Sequence, residues 1–421
     1  MEEIKKEGRI FRSISYSVIG GVVTASLALV IQRETLRFGF LSIESQLKLM
    51  LIYTIFSFSL FLIVSLHNFK DRRKVTGLYL SIVFIMIGLT QLNCNPLPNV
   101  LMIVSDATRA DHLSLYGYNR KTTPFLEKFA REAVVFNQAM SQGTHTIVST
   151  PSLLPSVYPS THKLVNYRKV LNPEFVLISE MLKSADYATF GCAANPHLGI
   201  KNGFSQGFDT YIFPMYWENV DAPKVFHSLI EWLSQTHAQP FFGFLFCIDP
   251  HTPYDPPPPY DKLFDPQWQG KPVTGGIHGK YISERQLQNM IARYDGEIAL
   301  VDKAIENLIK KLKENDLYDN TLIIYTSDHG EALYDRENDF GHGKAPYEEV
   351  VHIPLLIRFP SPLKFPTVAF TGRQDEVVSH VDILPTIAEF LHLQRPETAM
   401  GFSFMDLIRD KNPKMEKYAF L

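Results

Sequence analysis

A chain of 421 residues, 45% of them hydrophobic, is long enough for two or three units of domain size. The formal net charge of −3 gives no indication of a nucleic-acid partner, so no nucleic acid is expected. The three cysteines, Cys94, Cys192 and Cys247, have the spacing of neither a metal site nor a disulfide scaffold.

Three apolar runs without a charged residue occupy the first quarter of the chain, at 13–32, 49–66 and 76–93. Each is long enough for a helix that crosses a hydrocarbon core of about 30 Å. We therefore predict three transmembrane helices and a membrane anchor over residues 1–95. Buried helices of a soluble domain are the alternative interpretation.

Positive charges predict the orientation of this anchor. Lysines and arginines precede the first apolar run, and a second group of them separates the second run from the third. The positive-inside rule assigns both segments to the cytoplasm, and three crossings then leave the rest of the chain outside. The prediction is a multi-pass protein of the cell membrane whose catalytic domain, residues 96–421, is extracytoplasmic.

Apolar strands that end in polar residues alternate with amphipathic helices after residue 96. "NVLMIVSDATRADHL" is the first of these strands, and "YATFGCAAN", "QPFFGFLFCIDPH" and "NTLIIYTSDHGE" follow the same pattern. The clearest helix is "YDGEIALVDKAIENLIKKLKEND", with apolar residues on one face. This alternation predicts an α/β domain with a mostly parallel sheet, in which ligands bind beyond the carboxyl ends of the strands.

Two of these strand ends carry residue types that commonly bind metals. Asp106 ends the first strand, and Asp328 and His329 end the strand "TLIIYTSD". Carboxylate and imidazole ligands predict one divalent ion, with zinc or manganese favoured over calcium. His251 in "DPHTPY" and His342 and Lys344 in "FGHGKAP" are candidate anion-binding or acid–base residues.

The same motifs resemble the sulfatase branch of the alkaline phosphatase superfamily. "SDATRADHLSLYGYNR", "CIDPHTPYDPPPPY", "IIYTSDHGE", "HGKAPYEEVVHIPLLIRFP" and "VSHVDILPTIAEFLHL" match that family in order, over roughly residues 97–408. The resemblance implies an alkaline-phosphatase-like, mostly parallel sheet flanked by helices. It also implies that His251, His342 and Lys344 surround the substrate anion.

The family's nucleophile motif, C/S-x-P-S-R, has a Tyr-Pro pair twelve and thirteen positions after its first residue. Counting back from Tyr158 and Pro159 assigns the nucleophile position to Thr146 and the motif serine to Ser149. A direct match of "STPSL" to the motif selects Ser149 instead. Threonine cannot become formylglycine, so the usual sulfatase chemistry is not expected from Thr146.

Other departures resemble phosphoethanolamine transferases and lipoteichoic acid synthases. The family's paired aspartates are reduced to Asp106 followed by Ala107, and the frequent Asp-Asn pair is replaced by Asp328 and His329. This resemblance implies a metal shell of Asp106, Asp328, His329 and the Thr146 hydroxyl.

The implied activity is hydrolysis or transfer of a phosphoester or phosphodiester at the outer membrane face. The membrane is the expected partner, and a lipid headgroup or an envelope glycan is the expected substrate. One alternative is a sulfate-ester hydrolase without formylglycine. An alternative of a different class is a catalytically silent membrane binding protein.

Overall fold

A computed structural model describes residues 97–166, 169–214, 220–235, 240–275, 282–336, 339–361 and 370–409. The chain divides into two compact units, Met1–Leu97 and Pro98–Leu421, and the described residues belong almost entirely to the second unit. The predicted membrane anchor over residues 1–95, including its three apolar runs, lies outside the described residues.

The prediction of a multi-pass membrane protein needs correction. Within the described part of the chain, no helix is both long enough and apolar enough to cross a bilayer. The longest described helix, Glu284–Glu314, has 31 residues, but lysines and glutamates occupy its exposed side. A charged face of this kind is incompatible with a lipid-exposed helix. This finding contradicts the predicted multi-pass location.

One eight-stranded sheet forms the centre of the second unit. In chain order its strands are β1 (Asn99–Ser105), β2 (Val134–Met140), β3 (Ala188–Ala193), β4 (Thr210–Ile212), β5 (Phe241–Cys247), β6 (Thr321–Ser327), β9 (His352–Arg358) and β10 (Gly372–Ser379). Their spatial order is β10-β2-β9-β6-β1-β5-β3-β4. Strand β9 is antiparallel to both of its neighbours, and the other pairs are parallel. The predicted mostly parallel α/β sheet is thus confirmed.

A two-stranded antiparallel hairpin follows the end of β6. It consists of β7 (Ala332–Leu333) and β8 (Phe340–Gly341). Because the two strands pair, the residue before β7 and the residue after β8 are brought to the same end of the hairpin.

The described helices are α1 (Pro124–Phe129), α2 (Thr146–Leu153), α3 (Pro159–His162), α4 (Ile178–Ser184), α5 (Ala222–Ser234), α6 (Glu284–Glu314), α7 (Glu348–Val351), α8 (Ile383–Phe390) and α9 (Met405–Arg409). Helix α6 begins with a capping box between Ser283 and Gln286. Its predicted apolar face, which includes Ile298, Ile305 and Leu312, is buried in the hydrophobic core. Helix α6 packs against α5, and α5 packs against β3 and β5.

The central strands β1, β5 and β6 are buried along their whole length. Burial on both faces explains their continuous apolar sequences, which lack the alternation of a half-exposed strand. In the parallel pairing of β1 with β6, Ser105 is opposite Ser327. The two strands therefore end side by side, and the residues that follow them meet at one edge of the sheet.

Candidate active site

Asp106 and Asp328 directly follow the neighbouring ends of β1 and β6, and both are fully buried. The turn between β1 and the next segment is held by Asp328, whose Oδ1 accepts the N–H of Ala107 over 3.2 Å and the N–H of His329 over 2.8 Å. Ala107 has a φ of 55°, a left-handed conformation that is unfavourable for alanine. Tyr294 supports this turn by donating its hydroxyl to the Ala107 carbonyl over 2.8 Å. The backbone around Asp106 is therefore held from two sides.

His329 has one ring nitrogen available to a ligand. Its Nδ1 lies 2.8 Å from the carbonyl oxygen of Gly330, which can only accept, so Nδ1 carries the proton. The lone pair of Nε2 then faces the two aspartates, at 3.5 Å from Oδ1 of Asp106 and 3.4 Å from Oδ2 of Asp328. Hydrogen bonding of one imidazole nitrogen to a carbonyl is the usual arrangement in a metal-binding histidine.

Glycine at position 330 allows the His329 turn to approach α7. A Cβ atom there would lie 2.1 Å from the carbonyl oxygen of Glu349, a distance that no side chain can adopt. The N–H of Gly330 donates to the carbonyl of Val350 over 2.7 Å instead. The close contact fixes the turn that carries His329.

The donor set of Asp106, Asp328 and His329 fits a divalent cation. One ligand atom from each of the three residues lies within 4.8 Å of the others. Among the described residues, Oδ1 of Asp106 and Oδ2 of Asp328 have no hydrogen-bond partner although both atoms are buried. Burial raises the pKa of Asp106, and the nearby Asp328 carboxylate raises it further. Two adjacent buried carboxylates are costly without a neutralising charge, so this group is able to hold a metal ion.

Thr146 is the first residue of α2 and is buried, but it lines the cavity next to the metal-binding group. Its Oγ1 lies 3.4 Å from Nε2 of His329. The preceding loop is tied to the end of β6, because Ser141 donates its hydroxyl to the Asp328 carbonyl over 2.6 Å. The first-turn N–H groups and the dipole of α2 favour an anion at this position.

Ser149, the other candidate nucleophile, is located differently. Its side chain is fully buried, and its Oγ lies 3.5 Å from the carbonyl oxygen of Thr146. Ser149 is not among the residues that line the cavity. The geometry thus favours Thr146 over Ser149 as the residue that a substrate can reach.

Asn195 belongs to the candidate site, although the sequence motifs do not single it out. Its Nδ2 donates to Oδ2 of Asp106 over 2.6 Å and to Oγ1 of Thr146 over 3.1 Å. The side chain is held by the N–H of His197, which donates to its Oδ1 over 2.9 Å. The sequence feature that points to Asn195 is the polar end of "YATFGCAAN", because Asn195 follows β3 at the same edge of the sheet.

His342 and His251 line the same cavity as Thr146. The β7–β8 hairpin brings His342 to Glu331, and Nδ1 of His342 lies 2.7 Å from Oε1 of this fully buried glutamate. Burial alone lowers the pKa of His342, but the Glu331 carboxylate raises it more, so the net pKa lies above the ordinary value. Nδ1 of His251 donates to the carbonyl of Thr252 over 2.6 Å. The His342 ring lies 4.4 Å from the His329 ring and 4.9 Å from the His251 ring, centroid to centroid.

Lys344, the remaining predicted catalytic residue, is not brought to the cavity. Its side chain is 57% exposed, and its Nζ lies 3.5 Å from Oδ1 of Asp339. Glu331, by contrast, was not selected from the sequence, although the "DHGE" motif places it two residues after His329.

The cavity has a volume of about 970 Å³, which is at the upper end of the range for small-molecule sites. Besides Thr146, His251 and His342, its lining includes His145 and His197. Burial lowers the pKa values of His145 and His197, so both are neutral at pH 7. The cavity therefore combines the Thr146 hydroxyl, a group able to hold a metal ion and several imidazoles.

The chain is similar in sequence to known proteins. A family model described as Sulfatase matches residues 98–393. An arylsulfatase of Clostridium perfringens (strain 13 / Type A) is 24% identical over 396 residues, covering 76% of this chain and 80% of that protein. The multifunctional alkaline phosphatase superfamily protein PehA of Trinickia caryophylli is 23% identical over 407 residues, covering 75% of this chain and 78% of that protein.

The fold is also shared with a solved structure. The phosphonate monoester hydrolase of Agrobacterium radiobacter superposes with a TM-score of 0.63 at 21% sequence identity, covering 75% of this chain and 78% of that one. This likeness confirms the predicted alkaline-phosphatase-like α/β fold. Since the family model spans most of the folded unit and includes every residue of the site, the chain belongs to the sulfatase family and is an ester hydrolase of that family.

Proposed function

We propose that this sulfatase-family enzyme hydrolyses or transfers phosphoester or phosphodiester groups, with Thr146 as the nucleophile. The observation that carries the proposal is the position of the Thr146 hydroxyl, 3.4 Å from Nε2 of His329 at the start of α2. Threonine cannot supply formylglycine, whereas a hydroxyl can form a phosphoester with the substrate. A relative described as a multifunctional alkaline phosphatase superfamily protein and a structural neighbour that hydrolyses phosphonate monoesters support phosphorus chemistry.

Zinc or manganese is the proposed metal, held by Asp106, Asp328 and His329. Carboxylate and imidazole ligands suit these ions better than calcium, which prefers oxygen ligands alone. A bound divalent ion supplies positive charge that lowers the pKa of the nearby hydroxyl and polarises the ester. Thr146 is the fourth proposed ligand, because its Oγ1 faces the same ligand atoms.

The residues of the chain itself orient the nucleophile. Asn195 can only donate through Nδ2, so the Thr146 oxygen accepts at that point, and its own proton is directed elsewhere. The amide thereby fixes Oγ1 next to Asp106. A nucleophile held in one orientation loses little entropy on reaching the transition state.

In the first step the oxygen of Thr146 forms a bond to phosphorus while the bond from phosphorus to the alcohol oxygen breaks. The threonine proton leaves to solvent, and the departing alcohol receives a proton from His342, whose pKa the Glu331 carboxylate raises. In the second step water or an acceptor alcohol attacks the phosphorus and releases Thr146 as a hydroxyl. The first-turn N–H groups of α2 stabilise the charge that develops on the phosphoryl oxygens.

A sulfate-ester hydrolase is the second candidate function, since the curated relatives include arylsulfatases. The identity of the alcohol half of the substrate stays a prediction: we expect a lipid headgroup or an envelope glycan. The cavity volume of about 970 Å³ is large enough for a headgroup or a monosaccharide.

The deciding experiment compares matched aryl esters that share one leaving group: a phosphate monoester, a phosphodiester, a phosphonate monoester and a sulfate monoester. Each is offered with zinc, manganese or calcium, and the modified threonine is sought by mass spectrometry after a rapid quench. We expect a phosphorus ester to give the highest kcat/KM and a phosphate adduct on Thr146. Preference for the sulfate ester, or an adduct on another residue, would contradict the proposal.

A further inference from the structure

Two buried carboxylic acids lie in the cavity away from the metal-binding group. Asp249 follows β5 and is 9% exposed, and Glu297 is on α6 and is 4% exposed. Both line the cavity that contains Thr146. The reaction proposed for Thr146 uses neither of them.

Backbone N–H groups hydrogen-bond to both carboxylates. Oδ2 of Asp249 accepts the N–H of Ala222, at the start of α5, over 2.8 Å. Oε1 of Glu297 accepts the N–H of Asp255 over 2.7 Å. Among the described residues, the second oxygen of Glu297, Oε2, has no hydrogen-bond partner although it is buried. A structural role accounts for one oxygen of Glu297 and leaves the other without a function.

The Arg293 charge lowers the pKa of Glu297 and the Lys224 charge lowers that of Asp249, but both cations also bind other groups. Arg293, one helical turn before Glu297, donates to the carbonyl of Tyr254 over 2.8 Å and also binds Asp255. Lys224 lies 3.8 Å from Asp221. Burial raises the pKa of Glu297, and the neighbouring Asp249 carboxylate raises it further. The net effect of these surroundings disfavours the charged form of both acids. A buried pair of this kind is costly unless hydrogen-bond donors from a ligand reach it.

The polar groups of the cavity differ in their hydrogen-bond partners. Nδ1 of His342 lies 2.7 Å from Oε1 of Glu331, beside the candidate metal-binding group. Asp249 and Glu297 instead accept backbone N–H groups of Ala222 and Asp255. An ester has two ends, and the anionic end requires the metal-binding group and the histidines. The remaining pair, Asp249 and Glu297, is therefore available to the alcohol end.

We propose that Glu297 and Asp249 form a leaving-group subsite, which binds a hydrogen-bond donor on the alcohol half of the ester. The unpartnered Oε2 of Glu297 accepts from that donor, and Asp249 accepts beside it. Ammonium and hydroxyl groups share this chemistry, and an alkyl group lacks it. A site that presents buried acceptors rejects a ligand without the matching donor, because its own polar atoms are then left unpaired.

The inference rests on the proposed function only in that an ester occupies the cavity, so the test measures binding and not turnover. The full chain with Thr146→Ala is titrated calorimetrically with metal and three phosphate esters of equal size, which end in a methyl, a hydroxyl or an ammonium group. Chains of two to five carbons are included in each series. We expect the hydroxyl or the ammonium ester to bind at least about tenfold more tightly than the methyl ester.

The Glu297→Gln change in the same background keeps an oxygen for the Asp255 N–H and replaces the unpartnered acceptor Oε2 by an amide nitrogen, which can only donate. We expect it to reduce the selectivity for the ammonium ester at least about tenfold. Glu306→Gln on the same helix, whose partner Lys303 is at the surface, is the matched control and keeps the selectivity. Equal affinity for all three esters, no measurable binding of any of them, or an equal loss for all three in Glu297→Gln overturns the subsite. Failure of the aryl phosphate assay, with selectivity intact, overturns the proposed reaction alone.

Discussion

The side-chain amide of Asn195 connects a predicted metal ligand to the predicted nucleophile, since it lies 2.6 Å from Oδ2 of Asp106 and 3.1 Å from Oγ1 of Thr146. Replacement by alanine removes both hydrogen bonds and leaves the Thr146 hydroxyl free to rotate. We expect Asn195→Ala to lower kcat about 10- to 100-fold, the usual cost of losing a residue that orients a metal ligand. Steady-state kinetics of the variant and the wild type, on the ester with the highest kcat/KM, would measure this loss in kcat. A change in KM alone would mean that Asn195 does not orient the nucleophile.

Thr146 and Ser149 can be separated by matched substitutions on one helix. We expect Thr146→Ala to reduce kcat at least about a thousandfold, because the bond-forming oxygen is removed. Ser149→Ala removes only a hydroxyl that faces the carbonyl of Thr146, and we expect activity within about tenfold of the wild type. Circular dichroism checks that both variants are folded. Comparable losses in the two variants would refute the assignment of Thr146.

The metal-binding group is predicted to stabilise the folded protein as well as to support activity. We expect one zinc or manganese per chain and a higher Tm after metal is added to chelator-treated protein. Asp328→Asn removes a ligand charge, so the increase in Tm should disappear together with the bound metal. Elemental analysis and calorimetry measure the two quantities independently of turnover. Calcium as the bound ion, or undiminished binding in Asp328→Asn, would contradict this prediction.

Lys344 and His342 are separated by two positions but differ in their surroundings. His342 lines the cavity, whereas the Lys344 amine is exposed and lies 3.5 Å from Asp339. We expect His342→Ala to lower kcat at least about a hundredfold, and Lys344→Ala to change it less than about tenfold. A large loss in Lys344→Ala would show that this side chain moves to the substrate during turnover.

The buried imidazole of His162 is expected to make the free energy of unfolding depend on pH. Its Nδ1 accepts the N–H of Leu164 over 3.0 Å, so the ring is held neutral, and burial lowers its pKa from 6.5 to about 4. Between about pH 6.5 and pH 4 the imidazole is protonated in the unfolded chain but neutral in the folded protein. The associated stability is complete above pH 6.5 and is lost as the pH falls toward 4.

From pH 7 to pH 5 this one group should cost about 2 kcal/mol of unfolding free energy. Urea denaturation at both pH values measures the loss, and His162→Gln, which does not titrate, should lose about 2 kcal/mol less over the same interval. An equal loss in both proteins would show that His162 does not contribute.

Much of the site could be located from the sequence because its main residues follow short, strongly patterned elements. The apolar runs that form β1 and β6 end at Asp106 and Asp328. Adjacent parallel strands bring their carboxyl ends together, and this does not depend on the conformation of the loops. The distance from Tyr158 and Pro159 likewise located Thr146 at the start of α2. These are local properties, since strand burial and helix starts depend on neighbouring residues.

Only the tertiary structure decided which other side chains join the site. Asn195 contacts Asp106 across 89 positions of the chain, and this pairing has no local pattern. The same holds for Glu297 and Asp249, which come from a helix and a strand end, and for Lys344, whose partner Asp339 depends on the shape of one loop. Hydrophobic periodicity specifies which face of an element is buried, but the direction of a polar side chain depends on contacts between distant segments. The sequence therefore determined the edge of the sheet where the candidate site lies, and packing between distant elements decided which residues line the cavity there.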